Sequence, residues 1–259
     1  MKKKIHIAVL WLLFILLMAV RILITMDYWI VIQILACGLA VALLIKYKLP
    51  SKKSILLSVF LTFLVAFSYF GAMKYFGINN FGVLISNSPC MIATLLSSLA
   101  VLSVMEKRGG FYMIPKDGKH PKLKFFVFTF VAGTLLVGIS ILVAFLSSSV
   151  VTPEFSVWKY VICFNPGIFE EMACRAIFMA FCIGFSEDKM SGFEVFTMLF
   201  MMTMPHCIVH GKGLIETALL FVIFGIPFAF IQRKNGIVSA MIIHGMVDAV
   251  MFTVTGLSM

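Results

Sequence analysis

The chain has 259 residues, of which 62% are hydrophobic and only 12% are charged. Soluble domains carry about 25% charged residues, so this composition excludes a soluble protein and predicts a polytopic membrane protein. The formal net charge of +10 comes from basic residues concentrated in alternate loops, which is typical of membrane topology and gives no support to nucleic-acid binding.

Apolar runs of spanning length recur along the whole chain. About 20 apolar residues cross the hydrocarbon as a helix, so the sequence predicts an all-α bundle of eight to nine transmembrane helices. The runs are continuous and do not alternate, which excludes a transmembrane barrel. The predicted spans are residues 5–26, 28–46, 54–75, 83–105, 123–148, 157–183, 190–209, 213–232 and 236–255.

Two of these runs contain helix-breaking residues. The run 83–105 is the weakest prediction, because Asn87-Ser88-Pro89 stands near its start. In the run 157–183, Asn165-Pro166-Gly167 predicts a kink or break just before a pair of glutamates.

The basic residues predict an N-terminus in the cytoplasm. With that orientation, 16 of the 21 Lys and Arg residues lie in cytoplasmic segments, as the positive-inside rule requires. These loops are also suited to anionic lipid headgroups. The polar stretch 106–124 divides the chain into N-terminal helices with their loop, residues 1–122, and a C-terminal transmembrane core, residues 123–259.

Ionisable residues within the spans are concentrated in the C-terminal core. A charged side chain at the bilayer centre costs at least ~2.5–3.5 kcal/mol, so such residues need partners or a function. We therefore expect any chemistry to lie in this half. The residues are Glu170, Glu171, Arg175, His206, His210, Glu216, His244 and Asp248. Glu216 stands at the start of its span, where an interfacial position is expected.

The spacing of the glutamates suggests that they differ in role. Glu171 and Arg175 are four residues apart, so they share a helix face and can form an ion pair. Glu170 is rotated by about 100° and stays available as a base.

The histidines lie on two other spans. His244 and Asp248 are also four residues apart, so Asp248 can orient His244. His206 and His210 form a further pair with this spacing.

These motifs resemble the intramembrane proteases that include the CAAX prenyl endopeptidases, the Ras-converting enzymes and the bacterial bacteriocin-processing (Abi) proteins. The E-E-x-x-x-R motif of that family corresponds to Glu170-Glu171-Met172-Ala173-Cys174-Arg175. Its H-x-x-x-N/D motif corresponds to His244-Gly245-Met246-Val247-Asp248. The resemblance covers residues 155–255, and the first four spans carry none of it.

The middle motif departs from the family pattern F-x-x-x-H. Met202 stands four residues before His206, and His206 stands four before His210, so either histidine can be the match. Helix rise places His206 ~24 Å and His210 ~30 Å from the cytoplasmic start of their span, against ~20 Å for Glu170 on its own span. We predict His206 as the middle histidine and keep His210 as the alternative.

The resemblance implies hydrolysis of peptide bonds within the membrane. A glutamate, here Glu170, and the middle histidine would activate water. His244 and Asp248 would stabilise the oxyanion. A charged Asp248 is a weaker oxyanion partner than Asn, which can donate hydrogen bonds.

The resemblance also implies the partners. The substrates would be peptides or membrane proteins, and the protein would lie in a bacterial cell membrane. The enzyme would be either a glutamate-type protease or a zinc metalloprotease. Two Glu and two His could ligate zinc, but the H-E-x-x-H spacing of zinc proteases is absent from the sequence. The sequence does not define the oligomeric state.

Two alternatives remain open at the level of sequence. The protein could be a non-catalytic membrane scaffold of the same family, since the middle Phe is missing. It could also be a proton-coupled transporter that uses the same carboxylates and histidines, although no internal repeat supports this.

Overall fold

The structure, a computed structural model, describes residues 5–23, 28–78, 80–115, 121–147, 149, 152–187, 189–211 and 213–256. Within these residues every regular element is a helix. The first half contains α1 (Ile5–Leu23), α2 (Tyr28–Tyr47), α3 (Lys52–Phe76), α4 (Gly82–Ser86), α5 (Ser88–Lys107) and α6 (Pro121–Leu146).

The second half is more irregular, because π-helical turns interrupt its helices. Its elements are α7 (Val157–Ile162), two π-helical turns (Asn165–Glu170 and Met172–Ala176), α8 (Ile177–Phe185), α9 (Gly192–Met201), α10 (Met204–His210), α11 (Leu214–Leu220), a third π-helical turn (Phe221–Gly225), α12 (Ile226–Asn235) and α13 (Ile237–Val254).

The predicted helix bundle is confirmed. Among the described residues, 8 helical segments are long and apolar enough to cross a membrane. The remaining predicted run, 157–183, is also helical, but its π-helical turns divide it into shorter pieces. The cytoplasmic position of the N-terminus stays a prediction.

Prolines mark the places where predicted spans divide. The run 83–105 becomes the short α4 and the long α5, with Pro89 in the first turn of α5. Similarly, α9 ends at Met201 and α10 begins at Met204, with Pro205 in its first turn. Proline is tolerated in a first turn because its missing N–H would have no helical partner there.

The segment that carries the glutamates lies at the centre of the bundle. Every residue from 167 to 182 is buried, between α2, α5 and α13. Gly167 permits the contact with α13, because a Cβ at this position would lie 3.0 Å from the carbonyl oxygen of Met241. This close approach brings the glutamates within reach of His244, one turn further along α13.

The start of α13 is held by the cytoplasmic loop of the predicted topology. The amides of Ile237 and Val238 donate to the carbonyls of Tyr112 and Met113 at 3.2 and 3.1 Å. Gly236 has φ of 90°, and a Cβ there would lie 2.4 Å from the Met113 carbonyl oxygen. The loop therefore fixes the helix that positions His244.

Candidate active site

Glu171 is the centre of a fully buried polar network. Its Oε1 atom pairs with Arg175 and lies 2.7 Å from Nδ1 of His244. The amide of Gln232 donates to the Glu171 carbonyl at 3.0 Å and to Oε2 at 3.4 Å. A carboxylate paired with arginine only accepts hydrogen bonds, so the shared proton belongs to Nδ1 of His244. Glu171 thus fixes the tautomer and orientation of His244.

An aromatic ring completes this network. The Arg175 guanidinium carbon lies 5.1 Å from the centroid of the Phe228 ring. The imidazole of His244 lies beside the same ring, with centroids 4.9 Å apart. Phe228 on α12 therefore packs against both groups and keeps them in position.

Glu170, the neighbouring carboxylate, has a different environment. It is 7% exposed, and its Oε2 atom lies 3.2 Å from Nε2 of His206, 3.4 Å from Nε2 of His244 and 3.7 Å from Nε2 of His210. None of these contacts has hydrogen-bond geometry, so within the described residues Oε2 is buried without a hydrogen bond. A small polar species placed among these nitrogens would supply the missing partner.

The structure brings all seven predicted site residues into one cluster. Glu216, which was expected outside the site, is exposed on α11. Asp248 is half-buried at the edge of the cluster, with its Oδ2 atom 3.7 Å from Nε2 of His244. The i, i+4 spacing suggested that Asp248 orients His244, but the closer carboxylate is Glu171. Spacing along α13 could not show this contact, because Glu171 belongs to another helix.

The two candidates for the middle histidine are not equivalent. His206 is buried and closest to Glu170, whereas the His210 side chain is 44% exposed and lies further away. Both occupy one face of α10, with ring centroids 4.7 Å apart. The geometry favours His206 as the partner of Glu170, and its role stays a prediction.

Three residues of the site were missed by sequence reasoning. Gln232 carried a signal, since it is a polar residue inside an apolar run. Phe228 and Trp29 carried no such signal, because both are aromatic residues within apolar runs. The Trp29 ring, on α2, lies 5.2 Å from that of His210 and 6.2 Å from that of His206, so the N-terminal helices contribute a wall of the site.

Two cavities meet at the cluster. The first, here the apolar cavity, has a volume of about 330 Å³. The second, here the polar cavity, has about 300 Å³ and is lined in part by Glu170. The apolar cavity is lined by His206, His210, His244 and Asp248 together with side chains that include Val143, Leu220, Phe224, Phe228, Val247 and Met251.

The donor atoms around Glu170 partly fit a metal ion. Ligand atoms of Glu170, His206 and His210 all lie within 4.8 Å of one another. Two ligands at ~2.0–2.1 Å from a tetrahedral zinc ion are ~3.3 Å apart, close to the 3.2 and 3.7 Å separating the Glu170 oxygen from the two histidines. Metal-bound histidines usually donate their other N–H to a partner, and Nδ1 of His206 is buried without one among the described residues.

Comparison with protein families gives a match in the C-terminal region. Residues 152–250 match the family model for the type II CAAX prenyl endopeptidases, Rce1-like. This confirms the resemblance based on the two motifs. The Rce1-like region contains every residue of the cluster from Glu170 to Asp248, and Trp29 reaches it from outside. No curated protein and no solved structure matches the chain.

Proposed function

We propose that the protein is an intramembrane endopeptidase in which Glu170 activates water for attack on a peptide carbonyl. The observation that carries the proposal is the buried Glu170 oxygen, which has three imidazole nitrogens within 3.7 Å and no hydrogen bond within the described residues. An unsatisfied buried carboxylate is costly, and such strain is typical of reactive groups. The Rce1-like match adds independent support.

In this mechanism a water molecule binds between Glu170 and His206. Glu170 accepts a proton from the water, and the hydroxide adds to the carbonyl carbon. The proton then passes to the leaving nitrogen as the C–N bond breaks, so one water is consumed for each bond cleaved.

His244 is placed to act on the oxygen of the intermediate. Its Nδ1 proton is held by Glu171, which leaves Nε2 directed toward Glu170. When Nε2 also carries a proton, it can donate to the oxyanion. Arg175 and Glu171 act through His244 and are positioning residues.

The apolar cavity indicates the class of substrate. Its walls are largely aliphatic and aromatic, and it lies between α6, α11 and α13, with Val143 on α6 exposed on the lipid-facing surface. A peptide segment with apolar side chains can occupy it with its backbone next to the histidines. We therefore propose membrane-embedded or membrane-bound peptides and proteins as substrates.

The test uses purified protein in detergent or liposomes and a set of apolar fluorogenic peptides. We expect the wild type to cleave at least one of them, and Glu170→Ala to be inactive although it inserts and purifies normally. The matched control is Glu216→Ala, since Glu216 is an exposed carboxylate on α11. Cleavage retained in Glu170→Ala would contradict the proposal. A wild-type protein that cleaves none of the peptides would favour a scaffold.

A second candidate mechanism is a metallo-type endopeptidase, favoured by the close approach of Glu170, His206 and His210. These residues would hold the ion, and zinc would supply Lewis-acid activation of water. The two mechanisms are separated by the metal content of the purified protein and by the effect of a chelator. A stoichiometric metal that is lost in His210→Ala would establish the second mechanism, whereas activity unaffected by chelator in metal-free protein would establish the first.

A further inference from the structure

The polar cavity is a second feature of the molecule that contacts Glu170, and the mechanism above does not use it. It is formed mainly by the N-terminal helices, outside the Rce1-like match. Apart from Glu170, its polar groups are uncharged amides, hydroxyls and a thiol. They belong to Gln33, Tyr69, Ser86, Asn87, Cys90 and Asn165.

Several of these polar groups are available to hydrogen-bond a bound molecule. Gln33 is half-buried and makes no hydrogen bond to any described residue. Asn87 donates from its amide nitrogen to the Val83 carbonyl, and its amide oxygen has no partner among the described residues. Asn165 is held in place, because it donates to Tyr69 at 3.1 Å and accepts from Cys90 at 3.4 Å. The cavity therefore contains polar groups that are held in place by hydrogen bonds and polar groups that can still form one.

The polar cavity connects the end of the bundle with the buried carboxylate. Its outer end is at Ser86 and Pro89, which are exposed, and its inner end is at Glu170. Gln33 lies ~7.5 Å along α2 from the first residue of that helix, and Cys90 lies ~3 Å along α5. The cavity is thus close to the ends of two spanning helices, where the bilayer gives way to water.

An aromatic wall separates the two cavities. Trp29 lines the polar cavity, whereas His210 lines the apolar one, and the two rings lie edge to face at 5.2 Å. Phe169 supports Trp29 from the other side, with centroids 5.9 Å apart. This wall lies between a substrate in the apolar cavity and the polar cavity. Glu170 lines the polar cavity, and the histidines next to it line the apolar one.

We propose that the polar cavity is the route by which the hydrolytic water reaches its position between Glu170 and His206. This inference rests on the proposed endopeptidase function. Each cleavage adds one water across the C–N bond, its hydroxide to the carbonyl carbon and its proton to the nitrogen. An apolar cavity filled by peptide excludes that water, whereas the separate polar cavity, which reaches Glu170, can supply it without displacement of the substrate.

The first experiment measures water access directly and does not depend on activity. Gln33→Cys is compared with Ile34→Cys, its neighbour on α2. Ile34 is 64% exposed on a helix that is long and apolar enough to cross a membrane. Both are treated with a small cationic methanethiosulfonate in membrane fragments open on both sides, and the labelled position is determined by mass spectrometry. Because the reagent needs an ionised thiol in water, we expect labelling at position 33 at least about tenfold faster than at position 34. Equal rates would overturn the water route.

The second experiment tests whether this water is the one consumed. Gln33→Met keeps the length of the side chain and removes its hydrogen bonding, and Ile34→Leu is the matched control. We expect Gln33→Met to lower kcat about tenfold with an unchanged KM for the peptide, because the loss affects the water and leaves peptide binding intact. Tyr69→Phe, which removes one hydroxyl, is expected to act in the same direction.

The outcomes separate the inference from the function on which it rests. A higher KM with unchanged kcat in Gln33→Met would mean that the polar cavity binds peptide, and the inference would be wrong. Unchanged kcat and KM in both variants would also overturn it. If the wild-type protein cleaves no peptide, the proposed function fails, while selective labelling of position 33 still establishes the cavity as a water site.

Discussion

Glu170 and Glu171 are adjacent and both buried, yet their surroundings are opposite. The carboxylate of Glu171 pairs with Arg175 and lies within hydrogen-bond distance of His244 and Gln232. The carboxylate of Glu170 faces three imidazole nitrogens without a hydrogen bond in the described part of the chain. This difference is why we propose that Glu171 supports the structure and that Glu170 takes part in the reaction.

The largest effect is expected for Glu170→Gln. A general base contributes about 10²–10⁴-fold, so kcat/KM should fall by that range. Because the change removes an unsatisfied buried charge, the midpoint of thermal unfolding in detergent should stay the same or rise. Reduced stability together with reduced activity would mean that Glu170 is a structural residue like Glu171.

In contrast to Glu170→Gln, Arg175→Met should mainly lower the stability of the fold. Removing one member of a buried ion pair leaves the other charge uncompensated and costs about 3–5 kcal/mol. The free energy of unfolding, measured by denaturant titration in detergent, should fall by this amount. Arg175→Met combined with Glu171→Gln should be less destabilising than the sum of the single changes. Additive losses would show that the two residues do not stabilise each other.

The two histidines on α10 should differ in effect. His206→Gln is expected to lower kcat/KM by about 10²-fold, because His206 is the buried neighbour of Glu170. His210→Gln, at an exposed position, should lower it by less than about tenfold if no metal is bound. Steady-state kinetics of both variants decide the assignment. A larger loss for His210 would identify it as the middle histidine of the family motif.

The smallest effect is expected for Glu154, a surface carboxylate that differs from both buried ones. Hydrogen bonds from Lys159 and Tyr75 lower the pKa of Glu154 from its usual value of 4.5. A lowered pKa stabilises the fold above the pKa of the unfolded chain, and this contribution is lost as the pH falls through the folded value. Glu154→Gln should therefore lower Tm slightly near neutral pH and have no effect well below about pH 4. A difference in Tm that does not change with pH would exclude this ionic contribution.

The sequence predicted the fold well, because apolar length alone determines which segments can cross a bilayer. Helix α2 was expected at residues 28–46 and spans Tyr28–Tyr47, and α13 was expected at 236–255 and spans Ile237–Val254. The π-helical turns were not predicted. Pro166 indicated a break, but spacing along the chain could not show that Gly167, in the first π-helical turn, packs against α13.

The sequence indicated most residues of the site, but only some of the contacts between them. Spacing along one helix indicates pairs such as Glu171 with Arg175. It cannot show that Glu171 also holds His244, since that contact joins positions 73 residues apart. Trp29 and the polar cavity were not predictable for the same reason. They come from N-terminal helices that carry no motif.

The distance in sequence between Arg175 and α13 has a consequence for biogenesis. The segment with both glutamates and the arginine leaves the ribosome before Gln232 and His244 exist, so its charges cannot yet be paired across helices. Such a segment is poorly soluble in lipid by itself. We therefore expect it to become stable in the bilayer only after α12 and α13 have been inserted. A chain that stops before residue 232 would lack both Gln232 and His244, so we expect it to insert less stably than the full chain.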